Sequence, residues 1–280
     1  MKKSLVIVLL ALAVAGVAIQ PAHAQGPQIK DPAEYKAYMA AVQQSTPAAQ
    51  AQAFESFLQT YPNTVAKELA LMTLMAAYQQ ANDAPKMVNA AGRLLHDYPC
   101  NTRGLATLTF YYRSLVAQGG PEGPKNLDLA LQNGQKGMSC LETQKPVPAS
   151  DADAKLRNDL SAIFEGAVGI SALQKKNFAD ARKYLRAAVQ HATQPNINDI
   201  YPLAAADLEG APLSPEGFWF VVKASQLAQG SGPQQILDYG RKWYKYYHGS
   251  EAGWSDLVKQ AQASTDIMPA AGFVAKITHK

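Results

Sequence analysis

Leu160, Ile163, Phe164, Ala167 and Val168 fall at i, i+3, i+4, i+7 and i+8, one apolar stripe of an amphipathic helix. Leu71, Leu74, Met75 and Tyr78 repeat that spacing. This period constrains the fold most, because an apolar face that returns every 3.6 residues scatters over both sides of a strand. Strand signals are nearly absent. No run alternates valine, isoleucine and threonine with polar residues, and no Asn-Gly hairpin joins such runs. Asn133-Gly134 does occur, but inside the helix-like stretch LDLALQNGQKGMSCL. The class implied is all-α.

Helix punctuation agrees. Asp31-Pro32, Thr46-Pro47, Ser214-Pro215 and Gly232-Pro233 each set a capping residue before a proline suited to the first helical turn. Asp83 precedes APKMVNAAGRLL, and Ser150 with Asp153 resembles a capping box. The pattern predicts helices near 32–44, 47–60, 65–81, 84–97, 102–117, 126–141, 152–175, 178–192, 214–229, 233–248 and 251–263. Residues 193–213 read as an irregular connector with a short helix around 199–208. GGPEGPK (119–125) and ETQKPVPAS (142–150) read as surface loops. The tail, 264–280, is left open between disorder and docking on the last helices.

Helices of similar length raise the question of a repeat. FLQTYPN (57–63) returns as LLHDYPC (94–100). Leu71, Leu74, Met75 and Tyr78, followed by Ala91, Leu94 and Pro99, set small residues where two helices would cross and a proline at the end of the second. Gly169 with Ala181, Leu185 and Ala188 does the same, and Ala130, Gly134 and Gly137 repeat the seven-residue interval between small residues. Over 25–192 the chain resembles the tetratricopeptide-repeat family, specifically its exported bacterial members, with residues 214–263 as a C-terminal helix pair and capping helix rich in aromatics. The resemblance is degenerate, since no unit carries the family's tryptophan, Leu-Gly and tyrosine together. It implies a TPR-like α-solenoid of antiparallel helix pairs with a concave groove for a peptide or protein partner. A non-repetitive helical bundle is the alternative.

MKK, then an uncharged run from Ser4 to Ile19, then Ala22-His23-Ala24 form a secretory signal peptide over 1–24, with cleavage expected after Ala24. The apolar run is shorter than a membrane span needs, so no stable membrane insertion is expected after cleavage. The destination is the periplasm or the exterior. There the two cysteines, Cys100 and Cys140, are expected to form a disulfide, two buried free thiols being the other reading. In antiparallel pairs, Cys100 opening one helix and Cys140 ending the next would lie side by side. Formal charge is +4, of which Lys2 and Lys3 leave with the signal peptide, and no basic stripe appears, so nucleic acid is not an expected partner.

Catalytic signatures are missing: no G-x-S-x-G, H-E-x-x-H, phosphate-binding glycine loop or Cys-x-x-Cys. No enzyme activity, cofactor or metal is implied. His248 and Glu251 flank Gly249 and Ser250, which suit a helix end and the next helix's cap, so their expected role is structural rather than metal-binding. Candidate groove residues on first helices are Lys67, Gln79, Tyr111, Tyr112 and Arg113. Nine of the twenty-four Phe, Trp and Tyr residues lie between Phe218 and Trp254; Phe218, Trp219 and Phe220 are consecutive and cannot all face one core. Tyr244 falls off the stripe of Ile236, Tyr239, Gly240, Trp243 and Tyr247. Trp219 and Tyr244 are therefore candidate partner-binding rings. They carry the alternative function, an envelope glycan binder or accessory subunit of an envelope enzyme.

Overall fold

The computed structural model describes residues 28–144, 150–270 and 273. These residues form twelve α-helices and no strand: α1 Pro32–Val42, α2 Pro47–Thr60, α3 Lys67–Gln80, α4 Ala84–Asp97, α5 Thr102–Gln118, α6 Gly123–Thr143, α7 Asp151–Gln174, α8 Phe178–His191, α9 Ile197–Glu209, α10 Glu216–Leu227, α11 Gly232–His248 and α12 Trp254–Ala263. The protein is all-α. The signal peptide over 1–24 and residues 145–149 of the second loop lie outside the described residues, and no described helix is long and apolar enough to cross a membrane.

The caps explain most helix starts. Asp31 Oδ1 accepts from the backbone N–H groups of Ala33 and Glu34, Thr46 Oγ1 from Ala49, Asp83 Oδ1 from Lys86 and Ser150 Oγ from Asp153, each satisfying a donor the first turn leaves orphaned. Two expected caps are corrected. Pro215 rather than Ser214 occupies the cap position of α10, and the Ser214 N–H donates to the Asp207 carbonyl at 2.7 Å. Gly232 is the first residue of α11, with Ser231 before it and no side-chain cap bond.

The chain divides into two compact units, residues up to Leu108 and residues from Thr109 on. In the first, α1 packs on α2, α2 on α3 and α3 on α4. Its core holds Phe54, Phe57, Leu71, Leu74, Met87, Ala91 and Leu94, all buried. Tyr38, Phe54 and Phe57 meet edge to face at centroid distances of 5.5–6.5 Å, a favoured arrangement of ring quadrupoles.

In the second unit α6 packs on α7, α7 on α8, α8 on α9, α9 on α10, and α10 on both α11 and α12. Small residues set the closest approaches. A Cβ on Gly134 would lie 3.1 Å from Ala167 Cβ, one on Gly137 would enter the Phe164 ring, and one on Gly169 would lie 2.6 Å from Leu185 Cγ. These are the small positions singled out by the repeat pattern.

Two readings of this unit are corrected. The connector 193–213 contains α9, a full helix rather than an irregular run with a short turn. It survives Pro202 because that proline lies near its start; the lost i→i−4 bond frees the Asn198 carbonyl, and Arg113 Nη2 donates to it at 3.4 Å. The second correction concerns the aromatic triplet. Phe218, Trp219 and Phe220 are all buried because α10 is enclosed on every side. Phe218 meets Tyr244 and Trp254, Trp219 meets Phe273 at 5.0 Å, and Phe220 lies beneath the Arg186 guanidinium.

The start of the tail docks. Trp219 Nε1 donates to the Ile267 carbonyl at 2.8 Å, and buried Lys223 donates through Nζ to the carbonyls of Ala261 and Ser264 at 2.7 and 2.8 Å. These bonds satisfy the C-terminal end of α12.

Candidate functional site

The clearest concavity within one unit is a groove of about 560 Å³ in the first, open to solvent and built by α2, α3 and α4. Leu58 and Pro62 from the end of α2, with Leu71 of α3, supply its apolar wall. Asn89, Gly92, Arg93 and His96, at i, i+3, i+4 and i+7, are one face of α4 and supply the other. Lys67 Nζ lies 2.6 Å from Asp97 Oδ2 and ties the start of α3 to the end of α4 beside the opening. That ammonium, and secondarily His96, holds the Asp97 carboxyl below its ordinary range.

Charge around the groove is internally matched. Arg93 Nη1 donates to both carboxylate oxygens of Glu55, at 2.9 and 2.8 Å, and Tyr78 Oη donates to Glu55 at 3.1 Å. The His96 ring is 85 % exposed and lies 2.8 Å from Asp97 through Nδ1. An apolar wall with a paired, polar rim suits a neutral or mixed-charge segment carrying an apolar side chain.

Gly92 sets the room available. It sits inside α4, exposed, with nothing within 4 Å of the point a Cβ would occupy. The other glycines in helix interiors of the described residues each have a neighbour at that point. Glycine in a helix interior is destabilising by about 0.5–1 kcal/mol relative to alanine. No packing contact within the chain offsets that at residue 92; what the missing side chain leaves is space over the groove.

Of the residues named from sequence, Lys67 alone is at this site. Gln79 is exposed on α3 away from it. Tyr111 and Tyr112 are half-buried on α5, their rings 5.3 Å apart. Arg113 is corrected: it is buried. Its guanidinium donates to the carbonyls of Ile163 at 3.2 Å and Asn198 at 3.4 Å and pairs with buried Asp199. Burial pushes the Asp199 carboxyl up against the opposing pull of Arg113.

Trp219 and Tyr244 are corrected in the same sense. At 2 % and 5 % exposure neither offers a face to a sugar. Tyr244 belongs to the inner face of α11 with Gly240, and its hydroxyl donates to the Ala252 carbonyl at 2.9 Å. Gly249 ends α11 in the left-handed conformation, φ 84°, as its position predicts. Ser250 does not cap α12, whose cap position is Gly253; its Oγ accepts from the Ala252 N–H. Glu251 lies 3.7 Å from Lys245. No group of three or more histidine, cysteine, aspartate or glutamate side chains able to hold a metal occurs among the described residues. Cys100 and Cys140 are disulfide-bonded, and no described cysteine is free. No known protein family, curated protein or solved structure matches the chain.

Proposed function

We propose that this chain is an exported, non-catalytic interaction protein of the cell envelope that holds an extended or helical segment of a partner protein in the α2–α3–α4 groove. In this reading consecutive helices pair antiparallel and stack as TPR-like repeats, the successive packing within each unit and the glycine-mediated approaches at Gly134, Gly137 and Gly169 being the supporting observations. Export rests on the leader over 1–24. The observation that carries the groove assignment is Gly92, a helix-destabilising residue that no neighbour requires, at the one place on α4 where a side chain would narrow the groove. A bulky apolar side chain of the partner would seat against Leu58, Leu71 and the bare backbone at Gly92, with Lys67, Arg93 and Asp97 excluding water around it.

The test is selection of peptides from a displayed library on the purified protein, followed by affinity measurement on Gly92→Trp. Since the added indole meets no atom of the chain at its Cβ, the variant keeps its fold, which circular dichroism checks. The proposal expects the selected peptides to share an apolar anchor and to lose at least about tenfold in affinity, some 1.4 kcal/mol, on Gly92→Trp. Peptides that bind the variant as tightly as the parent place the interaction elsewhere and refute the groove.

A further inference from the structure

We infer that the outward face of α11 is a second binding site, for an acidic oligosaccharide, independent of the groove and located in the other unit. Tyr239, Lys242, Trp243 and Tyr246 recur at i, i+3, i+4 and i+7, so they share one face of this helix. It is not the face that builds the core, where Gly240 and Tyr244 are buried against Val221, Phe218 and Trp254.

Ring contacts run the length of the outward face and continue onto α9: Tyr201 to Tyr239 at 5.8 Å, Tyr239 to Trp243 at 6.4 Å and Trp243 to Tyr246 at 5.7 Å. Tyr201, Tyr239 and Trp243 are half-buried against the core, which holds them in place, whereas Tyr246 is 77 % exposed. Tyr239 Oη donates to Glu209 at 2.8 Å, fixing the middle ring further. The result is a rigid aromatic strip that ends on a ring left in water.

The neighbours of the strip select its ligand. No leucine, isoleucine, valine or methionine shares the face; the flanking side chains are Gln235, Asp238 and Lys242, which are planar-polar or charged. A pyranose has that character in complement. Its C–H face carries slight positive charge and stacks on the negative face of an aromatic ring, while its hydroxyls at the edge seek amide and carboxylate partners. A protein surface would be met better by aliphatic side chains between the rings. Charge then favours an acidic sugar. Helix α11 carries Arg241, Lys242 and Lys245 against a single carboxylate, Asp238. Arg241 lies 3.8 Å from Asp238 and Lys245 3.7 Å from Glu251, whereas Lys242, between Tyr239 and Tyr246 on the strip, has no ion pair among the described residues. Its ammonium is placed to meet a carboxylate on a sugar stacked over Trp243 or Tyr246.

The experiment titrates the purified protein with a short oligogalacturonate and with its fully methyl-esterified form, following tryptophan emission and, in parallel, calorimetric heat. The expected result is saturable binding of the acid form and weaker binding of the ester. Tyr246→Ala, which removes a ring that only Trp243 contacts, should lower affinity for both by about tenfold. Lys242→Gln should bring the acid down to the level of the ester and leave the ester unchanged. Absence of binding by either sugar at millimolar concentration overturns the inference. So does binding that Tyr246→Ala leaves unchanged, or a peptide selected on the protein whose binding Tyr246→Ala abolishes. Equal affinity of the parent for acid and ester overturns the charge assignment. Because Gly92→Trp lies outside this unit, its effect on peptide binding and the effect of Tyr246→Ala on sugar binding are read separately.

Discussion

Replacing Asp207 with asparagine should change how stability depends on pH. Asp207 is 0 % exposed on α9, between Arg182 and Arg186 of α8 and Glu216 of α10. Its pairing is incomplete. Arg182 Nε lies 3.4 Å from Oδ1 but donates to the Ala206 carbonyl, and Oδ1 has no hydrogen bond. Arg186 Nη2 stands 3.5 Å from Oδ2 while lying 2.6 Å from Glu216. Loss of solvation therefore outweighs the attraction of the two arginines and pushes the carboxyl from 3.8 up to about 7.

The sign follows from proton counting. Between about pH 4 and 7 the folded protein keeps a proton on Asp207 that the unfolded chain has released, so stability contributed by this group falls as pH rises and is flat above about 7. At about 1.4 kcal/mol per pH unit, the two units from pH 5 to the folded-state pKa amount to roughly 3 kcal/mol. Asp207→Asn keeps the shape and abolishes the titration. Its stability relative to the parent should thus rise by roughly 3 kcal/mol between pH 5 and pH 8, whatever its offset at pH 5. Urea unfolding followed by tryptophan emission measures this cleanly, because Trp219, Trp243 and Trp254 all lie in the same unit as Asp207. Parallel curves for the two proteins would mean an ordinary, ionised Asp207 held by its arginines, and would refute the reasoning.

Gly92→Ala should stabilise the protein by about 0.5–1 kcal/mol in urea unfolding, since the helix gains and no contact is disturbed; a destabilised variant would mean that α4 is not a regular helix there. Asp199→Ala strands the Arg113 guanidinium in the interior and should cost about 3–5 kcal/mol by tryptophan-monitored unfolding, against less than 1 kcal/mol if the pair were solvated. Reducing the bond of Cys100 and Cys140 opens a loop of about forty residues and should lower stability by about 3–4 kcal/mol; unchanged unfolding with and without reductant would show that the bond does not form.

The helices were legible where local signals agreed. Leu71, Leu74, Met75 and Tyr78 are all buried, as their spacing predicts, and the caps at Asp31, Thr46, Asp83 and Ser150 start their helices. α9 was not legible as a full helix, because Pro202 sits inside it and the compensating donor, Arg113, lies far away in sequence. The same gap hid the fate of Arg113: its partner Asp199 is on α9, 86 positions away. Trp219 and Tyr244 were misplaced because one-stripe reasoning assumes one buried face, whereas α10 is enclosed all round and α11 turns Gly240 and Tyr244 inward. The groove did carry a signal in the sequence. Gly92 shares the polar face of Asn89, Arg93 and His96, where no packing reason for a glycine exists.

The central claim, that α3 and α4 grip a partner segment, is tested most directly by amide hydrogen exchange with and without a peptide selected on the protein. The account predicts slowed exchange at 67–71 and across 89–97, at the end of α4 and beside Gly92, with no such protection in Gly92→Trp. Protection confined to other helices, or none at saturating peptide, would contradict it.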